Sequence, residues 1–176
     1  MDKTILVHSN FENLREELNK LGIESIDGFL VDLGVSSHQL DVPERGFSYM
    51  QDAPLDMRMD NNAELSAYDV VNTYSEAELK RVIKDYGEEN WSARIAKLIV
   101  ERRATMPIRT TFELVDAIKA AIPKKMRDEN QHPAKRTFQA IRIEGNRELD
   151  VIEKTLLAAV DMMDEGGVVA GITCHS

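Results

Sequence analysis

The 176 residues include a single cysteine, Cys174, so no disulfide can form within the chain. That excludes a disulfide-stapled mini-protein and makes a reducing, cytoplasmic compartment the expectation. No apolar run approaches the roughly 18 residues of a membrane span. The opening Met1-Asp2-Lys3-Thr4 lacks the apolar core of a secretory signal, so none is expected. Basic residues are in deficit, 22 against 31 acidic, for a net charge of −9. That argues against a generic polyanion binder. The composition, 43% hydrophobic and 30% charged, excludes a disordered polymer or a collagen-like repeat. It fits one compact domain, or one domain carrying a small insertion.

The deficit is uneven. Residues 1 to 78 hold 16 acids and 5 bases, whereas residues 79 to 176 hold 15 acids and 17 bases. Any nucleic-acid contact is therefore expected in the second half, although charge also varies between ordinary solvated faces.

Thr4-Ile5-Leu6-Val7-His8 reads as a short buried strand. A helix follows, with Asn10 as N-cap, Leu14, Leu18 and Leu21 at helical spacing, and Gly22 at its end. Residues 28–33 read as a second buried strand, giving a strand–helix–strand unit with a right-handed crossover. The stretch 34–60 is long and loop-like, but its Phe47, Tyr49, Met50, Leu55, Met57 and Met59 predict an ordered, packed segment. Ser75 with Glu78, and Thr110 with Glu113, are capping boxes that open amphipathic helices. Pro123 ends the second of these, and Pro133 opens the next helix. Leu149, Ile152, Leu156 and Val160 continue the helical period until Gly166-Gly167, and residues 168–173 return to a buried strand. The expectation is an α/β core of three strands with a helical insertion over 61–131.

Several residues could carry chemistry. Asp32 stands at the carboxyl end of the second strand, where open α/β sheets bind ligands; it could equally cap backbone amides of the following loop. Gly34-Val35-Ser36-Ser37-His38 resembles a nucleophile elbow only in part, because position 38 is not glycine. Arg45, Phe47 and Tyr49 could meet an unpaired base, or could pin their loop to the core. Asp52, Asp56 and Asp60 with Arg58 could favour a cation, or form a solvated turn with local pairing. Lys124, Lys125, Arg127, Lys135 and Arg136 are the best phosphate contacts, against a solvated linker at even odds. Cys174 and His175 lack a second cysteine for zinc, so a buried thiol at a strand end is expected.

Three segments are distinctive. They are Asp27-Gly28-Phe29-Leu30-Val31-Asp32-Leu33-Gly34-Val35-Ser36-Ser37-His38-Gln39-Leu40-Asp41; Glu44-Arg45-Gly46-Phe47-Ser48-Tyr49-Met50 with Pro54-Leu55-Asp56-Met57-Arg58-Met59-Asp60; and His132-Pro133-Ala134-Lys135-Arg136-Thr137-Phe138-Gln139-Ala140-Ile141-Arg142-Ile143-Glu144. Together they closely resemble the RsmH (MraW) family, bacterial S-adenosylmethionine-dependent methyltransferases acting on N4 of a cytidine in small-subunit (16S) ribosomal RNA. The resemblance runs along essentially the whole chain. It departs at His38, where proline is common, and at Cys174, where phenylalanine is common. It implies a Rossmann-like methyltransferase core over 1–60 and 132–176, here with three parallel strands. It also implies that 61–131 is an all-helical subdomain recognising the RNA substrate. Family members carry an N-terminal Gly-Gly-His loop and a ribose-binding acid without counterpart here, and they continue beyond His175-Ser176. An internal portion of the enzyme, or a natural short form, is therefore expected.

Carried over residue by residue, the resemblance implies that Phe11, Asp32 and Gln39 contact S-adenosylmethionine, with Phe11 on the adenine. Asp32 is the candidate acceptor for the cytosine amino group, whose lone pair is delocalised and needs help to attack. No metal is required. The RNA contacts implied are Arg45, Phe47, Tyr49, Lys124, Lys125, Arg127, Lys135 and Arg136, with the target base unpaired or extruded. The partner implied is the small ribosomal subunit, without a membrane, and a homodimer is the assembly to test. The alternative is a truncated, non-catalytic RNA-binding remnant that has lost its cofactor.

Overall fold

The computed structural model describes residues 4–127 and 131–173. The described residues fall into two compact units. One is built from the chain up to Gly34 and from Glu148 onward; the other is Val35–Arg147.

The smaller unit begins with a 3-10 turn, Phe11–Asn13, running into α1 (Leu14–Lys20). Asn10 caps the turn, its Oδ1 accepting from the Glu12 N–H at 3.1 Å. Gly22, at φ +71°, ends α1: its N–H donates to Asn19 O and that of Ile23 to Leu18 O, each at 3.0 Å. These are the paired bonds of a Schellman C-cap. Next comes β1 (Ile26–Leu33), and after the larger unit come α8 (Glu148–Asp161) and β2 (Met163–Thr173). β1 and β2 pair in parallel, from Gly28 opposite Val168 to Leu33 opposite Thr173.

The larger unit carries α2 (Ser37–Asp41), α3 (Ala67–Thr73), α4 (Glu76–Asp85), α5 (Ser92–Thr105), α6 (Thr111–Ala121) and α7 (Lys135–Gly145). Both expected capping boxes are present, at Ser75/Glu78 and Thr110/Glu113. Ser66/Asp69 and Ser36/Gln39 form two more. The helices enclose a core that includes Val70, Val71, Leu79, Ile83, Ile95, Ile99, Leu114, Ile118 and Ile141. The stretch 34–60 is ordered as expected, and inserts Phe47, Leu55 and Met57 into that core. The block 61–131 lies inside this unit, whose bounds are wider.

Four expectations need correction. The described sheet has two strands, not three: Thr4–His8 is without regular structure, and Leu6 is 92% exposed. A continuous apolar run becomes a strand only where a neighbour completes its ladder; among the described residues, β1 and β2 pair only with each other, and neither is the buried strand expected, with Leu30 70%, Val168 66% and Ile172 53% exposed. The apolar stripe of α8 does not face a core either. Its buried positions are Glu148, Thr155 and Ala159, while Leu149, Leu156, Leu157 and Val160 are exposed. Gly166-Gly167 does not end that helix. It lies within the irregular start of β2, where the register slips between Ile26↔Met163 and Gly28↔Val168, and Gly166 supplies the positive φ (+87°) of the slip. Pro133 precedes α7, which begins at Lys135 behind Ala134. Cys174 and His175 lie outside the described residues.

Candidate functional site

Asp32 is the penultimate residue of β1, in register with Ile172. Its carboxylate is exposed and has no side-chain partner among the described residues. Cap chemistry in the next loop belongs to Ser36 instead. Its Oγ accepts from the Gln39 N–H at 3.3 Å, while its own N–H donates to Gln39 Oε1 at 2.9 Å. A serine held as a helix cap, with His38 exposed on the same short helix, does not make a nucleophile elbow. Gln39 keeps its Nε2 hydrogens free to donate. Phe11, on the 3-10 turn, is 40% exposed. Phe11 and Asp32 belong to the smaller unit and Gln39 to the larger. An open aromatic face and an unengaged carboxylate suit the adenine and the sulfonium of S-adenosylmethionine, so the residues present fit that group.

Arg45, Phe47 and Tyr49 hold their loop in place. Arg45 donates to the carbonyl oxygens of Arg58 (2.7 Å) and Met59 (2.9 Å), and its guanidinium lies 5.7 Å from the Phe47 ring centre. Phe47 is buried, at 6% exposure. Tyr49 stacks on His132 (centroids 4.6 Å apart, 12° between planes) and meets Phe138 edge-on. His132 Nδ1 accepts from the Ala134 N–H at 3.2 Å. Burial, with Lys119 nearby, holds the imidazole below its usual pKa.

Asp56 and Asp60 of the acidic stretch are locally paired, and Asp52 reaches a distant segment. Asp52 accepts from the Phe112 N–H, and Asp60 from the Asn62 N–H. Asp56 grips Arg58 through both oxygens, at 2.8 and 2.9 Å. Hydrogen bonding from Arg58 holds the Asp56 carboxyl below the ordinary carboxylate range. Among the described residues, no group of three or more potential ligands could hold a metal ion.

The basic residues divide into two sets. Lys124, Lys125 and Lys135 are exposed and without side-chain partners among the described residues. Arg127 donates to Ile122 O and Lys119 O, capping the end of α6, and Arg136 donates to Glu88 O at 2.8 Å.

The larger unit also contains a cavity of about 370 Å³, lined by Pro54, Leu55, Asp56, Arg58, Ser66, Tyr68, Asp69 and Arg109. An isolated bridge between Pro54 and Thr110 draws its distant segments together, and the Leu55 N–H donates to Arg109 O at 2.9 Å. Of these residues, sequence reading singled out Asp56 and Arg58 for chemistry and Leu55 for packing. Arg109 and Tyr68 sit in no motif, and 41 positions separate them.

The chain belongs to a family of methyltransferases. It matches the MraW methylase family over residues 1–176. Among curated relatives, it is 68% identical over 170 residues to the ribosomal RNA small subunit methyltransferase H of Clostridioides difficile (strain 630). It is 56% identical over 171 residues to the protein of that name from Ruminiclostridium cellulolyticum, and 53% identical over 176 residues to that from Finegoldia magna. These alignments take in 97%, 97% and 99% of this chain, but only 55%, 55% and 56% of the relatives. The chain thus spans about half their length. No helix among the described residues is long and apolar enough to cross a membrane.

Proposed function

We propose that this chain carries part of the machinery of an S-adenosylmethionine-dependent methyltransferase acting on N4 of a cytidine in small-subunit ribosomal RNA. The carrying observation is its 68% identity, over nearly its whole length, to a ribosomal RNA small subunit methyltransferase H. Asp32, unengaged at the carboxyl end of β1, supports the reading. S-adenosylmethionine, when bound, supplies an electrophilic methyl group. By the family resemblance, Phe11 would hold the adenine, and Asp32 and Gln39 would contact the methionine end. Asp32 accepts a hydrogen bond from the cytosine amino group, which localises the nitrogen lone pair and assists loss of a proton. Holding the amino nitrogen in line is the other contribution of these side chains.

The core role is proposed for 1–60 with 132–176, and RNA recognition for the helical block 61–131. Lys124, Lys125 and Lys135 are free to contact phosphates, joined by the unengaged N–H groups of Arg127 and Arg136. Arg45, Phe47 and Tyr49 shape the loop that follows Asp32. The compartment is the cytoplasm, where the RNA is found.

The test is a thermal melt with and without S-adenosylmethionine. Binding to the native state at 100 times Kd adds about 2.7 kcal/mol. The expected result is an upward shift that Phe11→Ala reduces. A melt indifferent to the cofactor would remove the cofactor-binding reading from this chain.

A further inference from the structure

The cavity of the larger unit holds two opposite charges that do not pair with each other. Its ionised side chains are Asp56, Arg58, Asp69 and Arg109. The first two are spent. Arg58 gives Nε and Nη2 to the two Asp56 oxygens, at 2.8 and 2.9 Å, and Nη1 to the carbonyl oxygens of Asn61 and Ala63, each at 3.0 Å. Arg109 is exposed, and its guanidinium has no partner among the described residues. Asp69 accepts from the Ser66 N–H and hydroxyl through Oδ2 alone, leaving Oδ1 unengaged. One free cation and one free carboxylate oxygen on the same wall suit a ligand that carries both signs. The rest of the lining is largely apolar: Pro54, Leu55 and the ring of Tyr68, a residue with 37% of its surface exposed. The volume, about 370 Å³, lies near the lower end of small-molecule sites, roughly 300–1,000 Å³.

We infer that this cavity is a binding site for a free α-amino acid with an apolar side chain. The carboxylate pairs with Arg109, the ammonium donates to Asp69 Oδ1, and the side chain lies against Tyr68. Selection for the zwitterion follows from the charges. A purely anionic ligand leaves Asp69 facing it unpaired, and a purely cationic one does the same to Arg109. The walls are set beforehand by the Pro54–Thr110 bridge and the Arg58 grip, which lowers the ordering cost of binding. The contacts proposed above for cofactor and RNA use none of Tyr68, Asp69 and Arg109, and the inference does not depend on them. The methionine end of S-adenosylmethionine carries the same two charges, so the test separates the two sources.

The test is an NMR titration of the isotope-labelled full chain with L-phenylalanine. Saturable shifts are expected at the backbone amides of Tyr68, Asp69 and Arg109. Phenethylamine, which lacks the carboxylate, and hydrocinnamate, which lacks the ammonium, should each bind roughly tenfold more weakly, the loss of one charge-assisted contact. Glycine, with both charges and no side chain, should also bind more weakly than L-phenylalanine. Arg109→Ala and Asp69→Asn should each weaken L-phenylalanine binding roughly tenfold. The asparagine keeps an oxygen for the Ser66 cap, and circular-dichroism melts verify that each variant is folded. Lys97→Ala, outside the cavity, should bind as the wild type does. Absence of saturable shifts, analogues that match L-phenylalanine, or cavity variants that bind as the wild type does would each overturn the site. Shifts of the same amides by S-adenosylmethionine and not by L-phenylalanine would seat the cofactor's methionine end there and overturn the free amino acid as ligand.

Discussion

The side-chain amide of Asn146 donates to the carbonyl oxygen of Met57 at 2.8 Å, and Met57 is one of three non-glycine residues at positive φ among the described residues. The same amide donates to Arg142 O and accepts from the Met59 N–H, at 2.9 and 2.7 Å. One side chain thus ties the end of α7 to a left-handed residue and to the backbone just after it. Non-glycine residues keep that conformation where the surroundings over-determine it. Asn146→Ala should cost about 2 kcal/mol, because part-buried backbone groups lose their partners. Asn146→Asp, which keeps the acceptor but loses both donated bonds, should recover only part. Denaturant titration measures both, and a loss below about 0.5 kcal/mol for the alanine variant would contradict the assignment.

Arg103 plays a comparable part at the end of α3, donating to Val71 O and Tyr74 O from a half-buried position. Burial depresses the guanidinium's pKa, a sign that the charge is held partly away from water. A lysine cannot span two carbonyls with a planar fork. Arg103→Lys should therefore lose at least half of what Arg103→Ala loses, about 1–3 kcal/mol. Equal stability of Arg103→Lys and wild type would show the fork to be dispensable.

Gly22 and Gly46 share nearly the same φ, +71° and +70°, but not the same surroundings. A Cβ on Gly22 meets nothing within 4 Å, whereas on Gly46 it would lie 2.3 Å from Pro54 O and 3.0 Å from Asp56 N. Gly22→Ala should carry only the conformational cost, about 1 kcal/mol. Gly46→Ala must also displace backbone, and should lower the melting temperature several times further. Similar shifts for the two variants would deny the close approach at Gly46.

His132 should titrate below 6.5. Burial disfavours the imidazolium, and Nδ1 is already an acceptor for the Ala134 N–H. The unfolded chain then takes up this proton first as pH falls. The His132 contribution is therefore fully present above about 6.5, and is lost as pH drops from there to the folded-state value. Following the ring Cε1 proton by NMR gives the midpoint directly; a value at or above 6.5 would refute the environment described.

Local chemistry was the most legible part of the sequence. Asn10, Gly22, Ser75/Glu78 and Thr110/Glu113 act where they stand, because caps need only residues three or four positions apart. The packing of residues 34–60 was legible from their apolar content, although the Met57 geometry was not, because it depends on Asn146 far along the chain. Thr4–His8 misled for a related reason. A strand is defined by its neighbours, and the pattern of five residues cannot report whether any pair with it. Arg45 and Tyr49 were ambiguous in sequence between binding and bracing. Their partners, two backbone carbonyls and an imidazole, lie up to 83 positions away. Arg109 gave no signal at all, since its significance comes from the Pro54–Thr110 bridge.

The parallel ladder joins residues 140 positions apart, such as Phe29 and Val169, and the whole larger unit lies between them in sequence. During synthesis β1 emerges long before β2 exists, whereas the helices of the larger unit rest mainly on contacts nearer in sequence. That unit can therefore consolidate first. Once it has, closing the ladder no longer requires taming a long free loop, because most of the intervening chain has already surrendered its freedom. A mutation that loosens the helical body would then slow strand pairing in the smaller unit without touching any residue of its sheet.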